Sequence, residues 1–151
     1  KVPHYYNYGL MRHLNGDKQM TDVWRLSAIA KWEKSCGKHP TQKPLALLAR
    51  IILASTKPGA WILDPFSGSG TTGIAASLLG RRYLGLEIEK EYLHMSRARR
   101  EELESSATRH DYLHRLEKAG VVPMQDDLFA LKAPADRVRE EVDDSYGVPW
   151  L

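Results

Sequence analysis

The chain has 151 residues, 42% of them hydrophobic and 27% charged, with a net charge of +3 and a single cysteine. This is the composition of a globular domain; it excludes a disordered chain, and no apolar run approaches the roughly 20 residues of a bilayer span. One cysteine excludes an internal disulfide and points to a reducing, cytoplasmic setting, while the mild positive charge permits contact with nucleic acid without requiring it.

The first residues, "KVPHYYNYGL", lack both an initiator methionine and the apolar core of a signal peptide, so the chain reads as beginning inside a longer protein. "NGD" at 15–17 predicts a tight turn and "DVWRL" at 22–26 a short strand. "CGKH" sets Cys36 and His39 at a metal-like spacing, but with no second pair it reads as a plain loop, and no metal is expected. From Pro44 the pattern sharpens. Leu45, Leu48 and Ile52 share a helical face, Pro44 suits the first turn, and "KPGA" at 57–60 ends the helix.

"AWILD" at 60–64 is a short buried strand, "TTGIAASLLG" at 71–80 a helix stopped by Gly80, and "RYLGLEI" at 82–88 a second strand. In "EKEYLHMSRARREELE" at 89–104, Tyr92, Met95 and Leu103 fall on one helical face and the other face is charged. The order strand, helix, strand implies parallel strands joined by a crossover. "RHDYLHRLEKAG" at 109–120 predicts one more helix, ended by Gly120, before an acidic, proline-interrupted tail. The basic stretches "GRRY" at 80–83 and "SRARR" at 96–100 read as solvated faces rather than phosphate contacts.

The chemistry concentrates in "DPFSGSGTTG" at 64–73, where Gly68, Gly70 and Gly73 have the spacing G-x-G-x-x-G. Such glycines let a backbone approach a ligand, and the helix starting near Thr71 directs free N–H groups and partial positive charge at an anion. Glu87, about 20 residues after the first glycine, suits the hydroxyls of a ribose. To this point a nicotinamide or flavin nucleotide and an adenosyl-sulfonium cofactor fit alike. Asp64 separates them: a carboxylate at the end of the first strand repels a pyrophosphate but attracts the ammonium of S-adenosylmethionine. Taken singly, Asp64 also has a plainer reading as a turn cap, and Glu87 as a solvated strand end.

"GKHPTQKPLALLARIILAST" at 37–56 and "WILDPFSGSGTTGIAASLLGRRYLGLEIEKEYL" at 61–93 resemble the C-terminal half of DNA amino-methyltransferases of the beta arrangement, with the likeness extending over about residues 20–104. The resemblance implies an α/β fold, a partial Rossmann-like S-adenosylmethionine-dependent methyltransferase fold of parallel strands with flanking helices. It implies a cofactor pocket lined by Asp64, Phe66, Gly68, Ser69, Gly70, Thr71 and Thr72, with Glu87 on the ribose. "HPTQKP" at 39–44 would close over the methionine end, with Lys43 on its carboxylate; a solvated lysine beside a helix start is the alternative. It further implies methyl transfer to the exocyclic amine of adenine, or alternatively of cytosine, in DNA. In the family a "DPPY"-like or "SPPY"-like segment grips the flipped-out base. Here the one Asp-Pro pair lies in the glycine loop, so no catalytic residue is assigned and the chain alone is expected to be inactive.

The expected organisation is the end of a target-recognition region at 1–36, a cofactor-binding subdomain at 37–104, and a helical or extended tail at 105–151. Duplex DNA would be bound through the full-length protein, and a missing N-terminal half or self-association would cover the exposed sheet edge. The other readings are a non-catalytic cofactor-binding or assembly module and a nucleotide-dependent oxidoreductase. In "MQDDLFAL" at 124–131, Gln125, Leu128 and Phe129 resemble the Gln-x-x-Leu-Phe peptide by which bacterial replication proteins dock on the sliding clamp, the alternative being packing back onto the domain.

Overall fold

The computed structural model describes residues 4–123, so Gln125, Leu128 and Phe129 lie outside the described residues. Two parallel strands, β1 (Trp61–Asp64) and β2 (Arg82–Gly85), pair in the register Trp61 to Arg82 through Asp64 to Gly85. Around them run α1 (Tyr8–Leu14), a single 3-10 turn (Lys31–Lys34), α2 (Leu45–Ser55), α3 (Thr71–Leu78), α4 (Lys90–Glu102) and α5 (Ser106–Lys118). No helix among the described residues is long and apolar enough to cross a membrane.

Local chemistry explains most of the boundaries. Asn7 caps α1 by accepting the Leu10 N–H, and Ser105 caps α5 by accepting the Thr108 N–H, as short polar side chains do at helix starts. Pro44 precedes the first helical residue of α2 and offers no side-chain cap. The cap comes instead from Glu33 in the 3-10 turn, whose buried carboxylate accepts the N–H of Leu45 at 2.7 Å and that of Ala30 at 3.1 Å. The α3 and α5 helices stop just before Gly80 and Gly120, as expected.

The core joins Leu45, Ala49, Ile52 and Leu53 of α2 to Ile74, Ala75 and Leu78 of α3. Leu10 and Met11 of α1 and Tyr112 and Leu116 of α5 belong to the same cluster, and the Trp32 ring meets Tyr112 edge-on at 4.8 Å. The described parts of the three segments therefore share one core. Ile62 and Tyr83 turn the inner face of the sheet toward it, and the Tyr83 ring lies so close to Gly73 that a Cβ there would stand 2.6 Å away.

The other face of the sheet is bare. Trp61, Leu63, Leu84 and Leu86 are 52–67% exposed, although a parallel sheet in an α/β domain is normally covered on both faces. Among the described residues each strand has the other as its one partner.

Four expectations need correction. "AWILD" forms the first strand but not a buried one, since Trp61 and Leu63 stand on the bare face. "DVWRL" is not a strand: the Thr21 hydroxyl donates to the Val23 carbonyl and the Trp24 indole to the Thr21 carbonyl, local bonds that replace a ladder. The second strand ends at Gly85, placing Glu87 in the following loop. The two basic stretches are not uniformly solvated. Arg97 and Arg100 are exposed, but Arg99 is 2% exposed, and half-buried Arg81 donates to the Thr56 carbonyl (2.7 Å), the Thr56 hydroxyl (3.1 Å) and the Leu79 carbonyl. Thr56 and Leu79 cap α2 and α3, so Arg81 satisfies carbonyls that helix ends leave unpaired.

Replacing Glu33 with Ala strips one buried and one partly buried N–H group of their acceptor and should lower stability by about 1–3 kcal/mol, read as a shift of the urea unfolding midpoint.

Candidate functional site

The loop between β1 and α3 is tied down by the carboxylate at its start. Asp64 Oδ1 accepts the Phe66 N–H at 3.1 Å and Oδ2 accepts the Thr72 hydroxyl at 2.6 Å, so one side chain fastens both the turn and the beginning of the helix. Gly68 and Gly70 have φ of +50° and +73°, a region that favours glycine. Both are also hemmed in: a Cβ on Gly68 would stand 2.9 Å from His39 Nε2, and one on Gly70 would stand 2.6 Å from Ser96 Cβ on α4. Helix α3 then starts with no side-chain cap, which leaves its first N–H groups and positive dipole end for another acceptor.

Against this loop stands the segment that leads into α2. Lys43, Asp64, Phe66, Gly68, Ser69, Thr71 and Thr72 line one open cleft of about 210 Å³, together with His39, Thr41, Gln42, Leu48 and Ser67. Phe66 is 89% exposed on its rim, and Lys43 is exposed, its ammonium donating to the Thr41 carbonyl at 2.9 Å. Gly70 does not line this cleft; it faces a larger one of about 500 Å³ between α3 and α4, which contains none of the other expected site residues.

Glu87 is not among the residues that line the smaller cleft, but it is tied to one of them, Gly68. Its Oε1 accepts the Glu89 N–H at 2.9 Å and its Oε2 the Gly68 N–H at 2.7 Å. These two N–H groups, Glu89 first, hold its pKa below the ordinary glutamate value against the opposing effect of desolvation. The carboxylate thus stays ionised and aimed by the loop it anchors, and each oxygen retains lone-pair capacity for a further donor.

The structure adds residues that the sequence reading did not single out for the cleft. His39 packs on the Tyr92 ring with centroids 4.1 Å apart, and its Nδ1 accepts the Thr41 N–H, which leaves Nε2, beside Gly68, to carry the proton of the neutral ring. Gln42 is buried; its Nε2 donates to the Glu33 carbonyl, and its Oε1 has no hydrogen-bond partner. Arg99 supports the loop from behind, Nη1 donating to the Ser69 carbonyl (2.7 Å), the Ser69 hydroxyl (3.2 Å) and the Thr71 hydroxyl (3.0 Å). A signal for Arg99 was present: it lies four residues after Met95 and four before Leu103, on the face that packs.

Cys36 and His39 do not converge on a common ligand position. The Cys36 thiol donates to Glu102 Oε1 at 3.2 Å, and burial together with that carboxylate raises its pKa and keeps it protonated. Among the described residues no group of three or more His, Cys, Asp or Glu is arranged to hold a metal ion.

The sequence has clear relatives among known proteins. Residues 2–98 match the DNA methylase family. The chain is 63% identical over 103 residues to the Type II methyltransferase M2.MboI of Moraxella bovis, covering 68% of this chain and 38% of that protein. It is 63% identical over 101 residues to M2.DpnII of Streptococcus pneumoniae, covering 67% and 38%. To M.HinfI of Haemophilus influenzae it is 41% identical over 125 residues, covering 80% and 35%. The chain therefore spans little more than a third of the length of these curated relatives. The crystal structure of the M1.HpyAVI–SAM complex matches with a TM-score of 0.52 at 38% identity, covering 66% of this chain and 45% of that one. The architecture is accordingly a partial Rossmann-like α/β fold, and the chain belongs to the N6/N4 DNA methylase family.

Proposed function

We propose that the chain is the cofactor-binding part of a site-specific DNA methyltransferase of a restriction–modification system. Its cofactor is S-adenosylmethionine, and its target is the exocyclic amine of adenine, with cytosine the alternative, in duplex DNA. The observation that carries the reading is the convergence of Lys43, Asp64, Phe66, Gly68, Ser69, Thr71 and Thr72 on one cleft, with Glu87 bonded to Gly68 of that lining. The names of the relatives and of the M1.HpyAVI–SAM complex support it.

The residues fit such a ligand. At position 68 a Cβ would crowd His39 across the cleft, and α3 begins beside the loop with no side-chain cap. The charge pattern fits as well: a cationic Lys43 and the α3 N-terminus suit a carboxylate, Asp64 suits an ammonium, and Glu87 suits a pair of hydroxyls. A pyrophosphate would meet two carboxylates, which disfavours a dinucleotide. Exposed Phe66 offers a ring face for stacking an aromatic base. When bound, S-adenosylmethionine supplies an electrophilic methyl group. The cleft is smaller than the 300–1,000 Å³ usual for small-molecule sites, in keeping with a wall contributed from elsewhere.

The group that grips the base lies outside this chain in the same reading, since Asp64 and Pro65 form the one Asp-Pro pair and are committed to the glycine loop. Residues 1–36 are then the end of a target-recognition region, 37–104 the cofactor-binding subdomain and 105–151 the tail. The bare apolar face of Trp61, Leu63, Leu84 and Leu86 is where the companion segment, or a second copy of the chain, is received.

Calorimetry with the chain should show binding of S-adenosylmethionine or its demethylated product and none, or far weaker binding, of NAD; tighter binding of NAD overturns the reading. Glu87→Ala should weaken cofactor binding about 10- to 100-fold, through loss of a charge-assisted contact. Because the Glu87 pKa is lowered on folding, its contacts persist as pH falls through the ordinary glutamate range and are lost only below it. Affinity measured at stepped pH should follow that curve, and the part of the pH dependence contributed by Glu87 should be missing in Glu87→Ala. The chain alone should transfer no tritiated methyl group to duplex DNA, and incorporation above background would locate the catalytic group within it.

A further inference from the structure

We infer that Arg99 is the positioning residue of the cofactor cleft, acting through Ser69 and Thr71 to hold the glycine loop in its ligand-ready shape. The inference rests on reading that cleft as the cofactor site.

The guanidinium is 2% exposed, and the hydrogen bonds it makes all run from Nη1 to the loop: one carbonyl and two hydroxyls, at 2.7–3.2 Å. Its Nη2 is buried with no hydrogen-bond partner. Burying a guanidinium this way costs desolvation, and an apolar side chain of similar volume usually serves a fold as well or better. The arrangement is therefore costly for packing alone. What it achieves is local. Ser69 and Thr71 are themselves 3% and 5% exposed and their hydroxyls accept from Arg99, while the first turn of α3, which Thr71 begins, has no side-chain cap. All three bonds leave the single nitrogen Nη1, so the rest of the side chain serves to deliver that nitrogen to the loop at a fixed depth and angle.

The position of Arg99 on α4 extends this role. One face of α4 touches both walls of the cleft at successive turns. Tyr92 stacks on His39, Met95 lies where a Cβ on Gly37 would be 2.9 Å from its methyl group, and Glu102 accepts the Ser35 hydroxyl at 3.0 Å and the Cys36 thiol at 3.2 Å. Those contacts hold the segment leading to Lys43. Ser96 and Arg99, between them on the helix, hold the glycine loop. The carboxylates of Glu33 and Glu102 act electrostatically on the guanidinium, opposing the burial that lowers its pKa. One helix thus gauges the width of the cleft, and Arg99 is its contact with the loop.

The test compares the chain with Arg99→Met and Arg99→Lys. In the unliganded proteins, amide hydrogen exchange should rise across residues 67–72 in Arg99→Met and less in Arg99→Lys, with α2 and α5 unchanged. Calorimetry should show S-adenosylmethionine bound at least about tenfold more weakly by Arg99→Met, with partial recovery in Arg99→Lys. A double-mutant cycle with Thr71→Val should be non-additive, since both changes break one contact. Unchanged exchange in folded Arg99→Met overturns the inference, and so does unfolding of both variants, which would assign Arg99 to the fold. Absence of cofactor binding by the unmutated chain would sink the cofactor reading, while the exchange measurement would still judge the clamp.

Discussion

The close approach of α4 to the glycine loop is the constraint on which the rest of the site depends. Gly70 lies so near Ser96 that no side chain fits between them, and its φ of +73° is one that an L residue adopts only with strain. With the loop pressed against α4, one further helical turn carries Arg99 onto Ser69 and Thr71, and the turn before carries Tyr92 onto His39. The cleft is the space left between two segments that share a single supporting helix. This explains why residues distant in sequence, such as Lys43 and Thr72, line the same space.

The two carboxylates of the site have double employment. Asp64 caps its own turn and anchors the start of α3, so the plain structural reading of that residue is correct as far as it goes. Its negative charge nevertheless remains at the mouth of the cleft, and hydrogen bonding to the loop fixes where that charge points. Glu87 is held likewise by two backbone N–H groups, which favour its ionised form at no expense to its outward lone pairs. Preorganisation of this kind means that a ligand meets acceptors already in place and need not order them.

The molecule is asymmetric in how it treats its sheet. One face is buried under helices that share a continuous core, and the opposite face presents Trp61, Leu63, Leu84 and Leu86. Parallel sheets bury both faces because crossover helices lie on each, and a two-stranded sheet with one bare face is half of that architecture. The coverage of the relatives tells the same story, since the chain spans little more than a third of their length. Among the described residues the helices and the inner face of the sheet share one core, and the uncovered face of the sheet is apolar.

Sequence alone determined what depends on near neighbours. The periodicity from Leu45 to Ile52, the stops at Gly80 and Gly120 and the glycine loop stand where the pattern put them, because each arises from contacts within a few residues, and the parallel pairing of Trp61 with Arg82 follows from the strand–helix–strand order. The grouping of Lys43 with the loop residues was legible only through family resemblance, since nothing in local pattern brings 43 to 64. Tertiary structure alone decided the rest. "DVWRL" has strand propensity but finds no partner strand, and propensity for a strand is a preference for a pleated, half-buried neighbour. Arg81 and Arg99 look solvated in a charged stretch, yet their acceptors are groups 25 and 30 residues away that exist as unpaired carbonyls and inward hydroxyls only once the helices have docked. A charge pattern records what a side chain can donate; where the acceptor lies is settled by the packing of the chain.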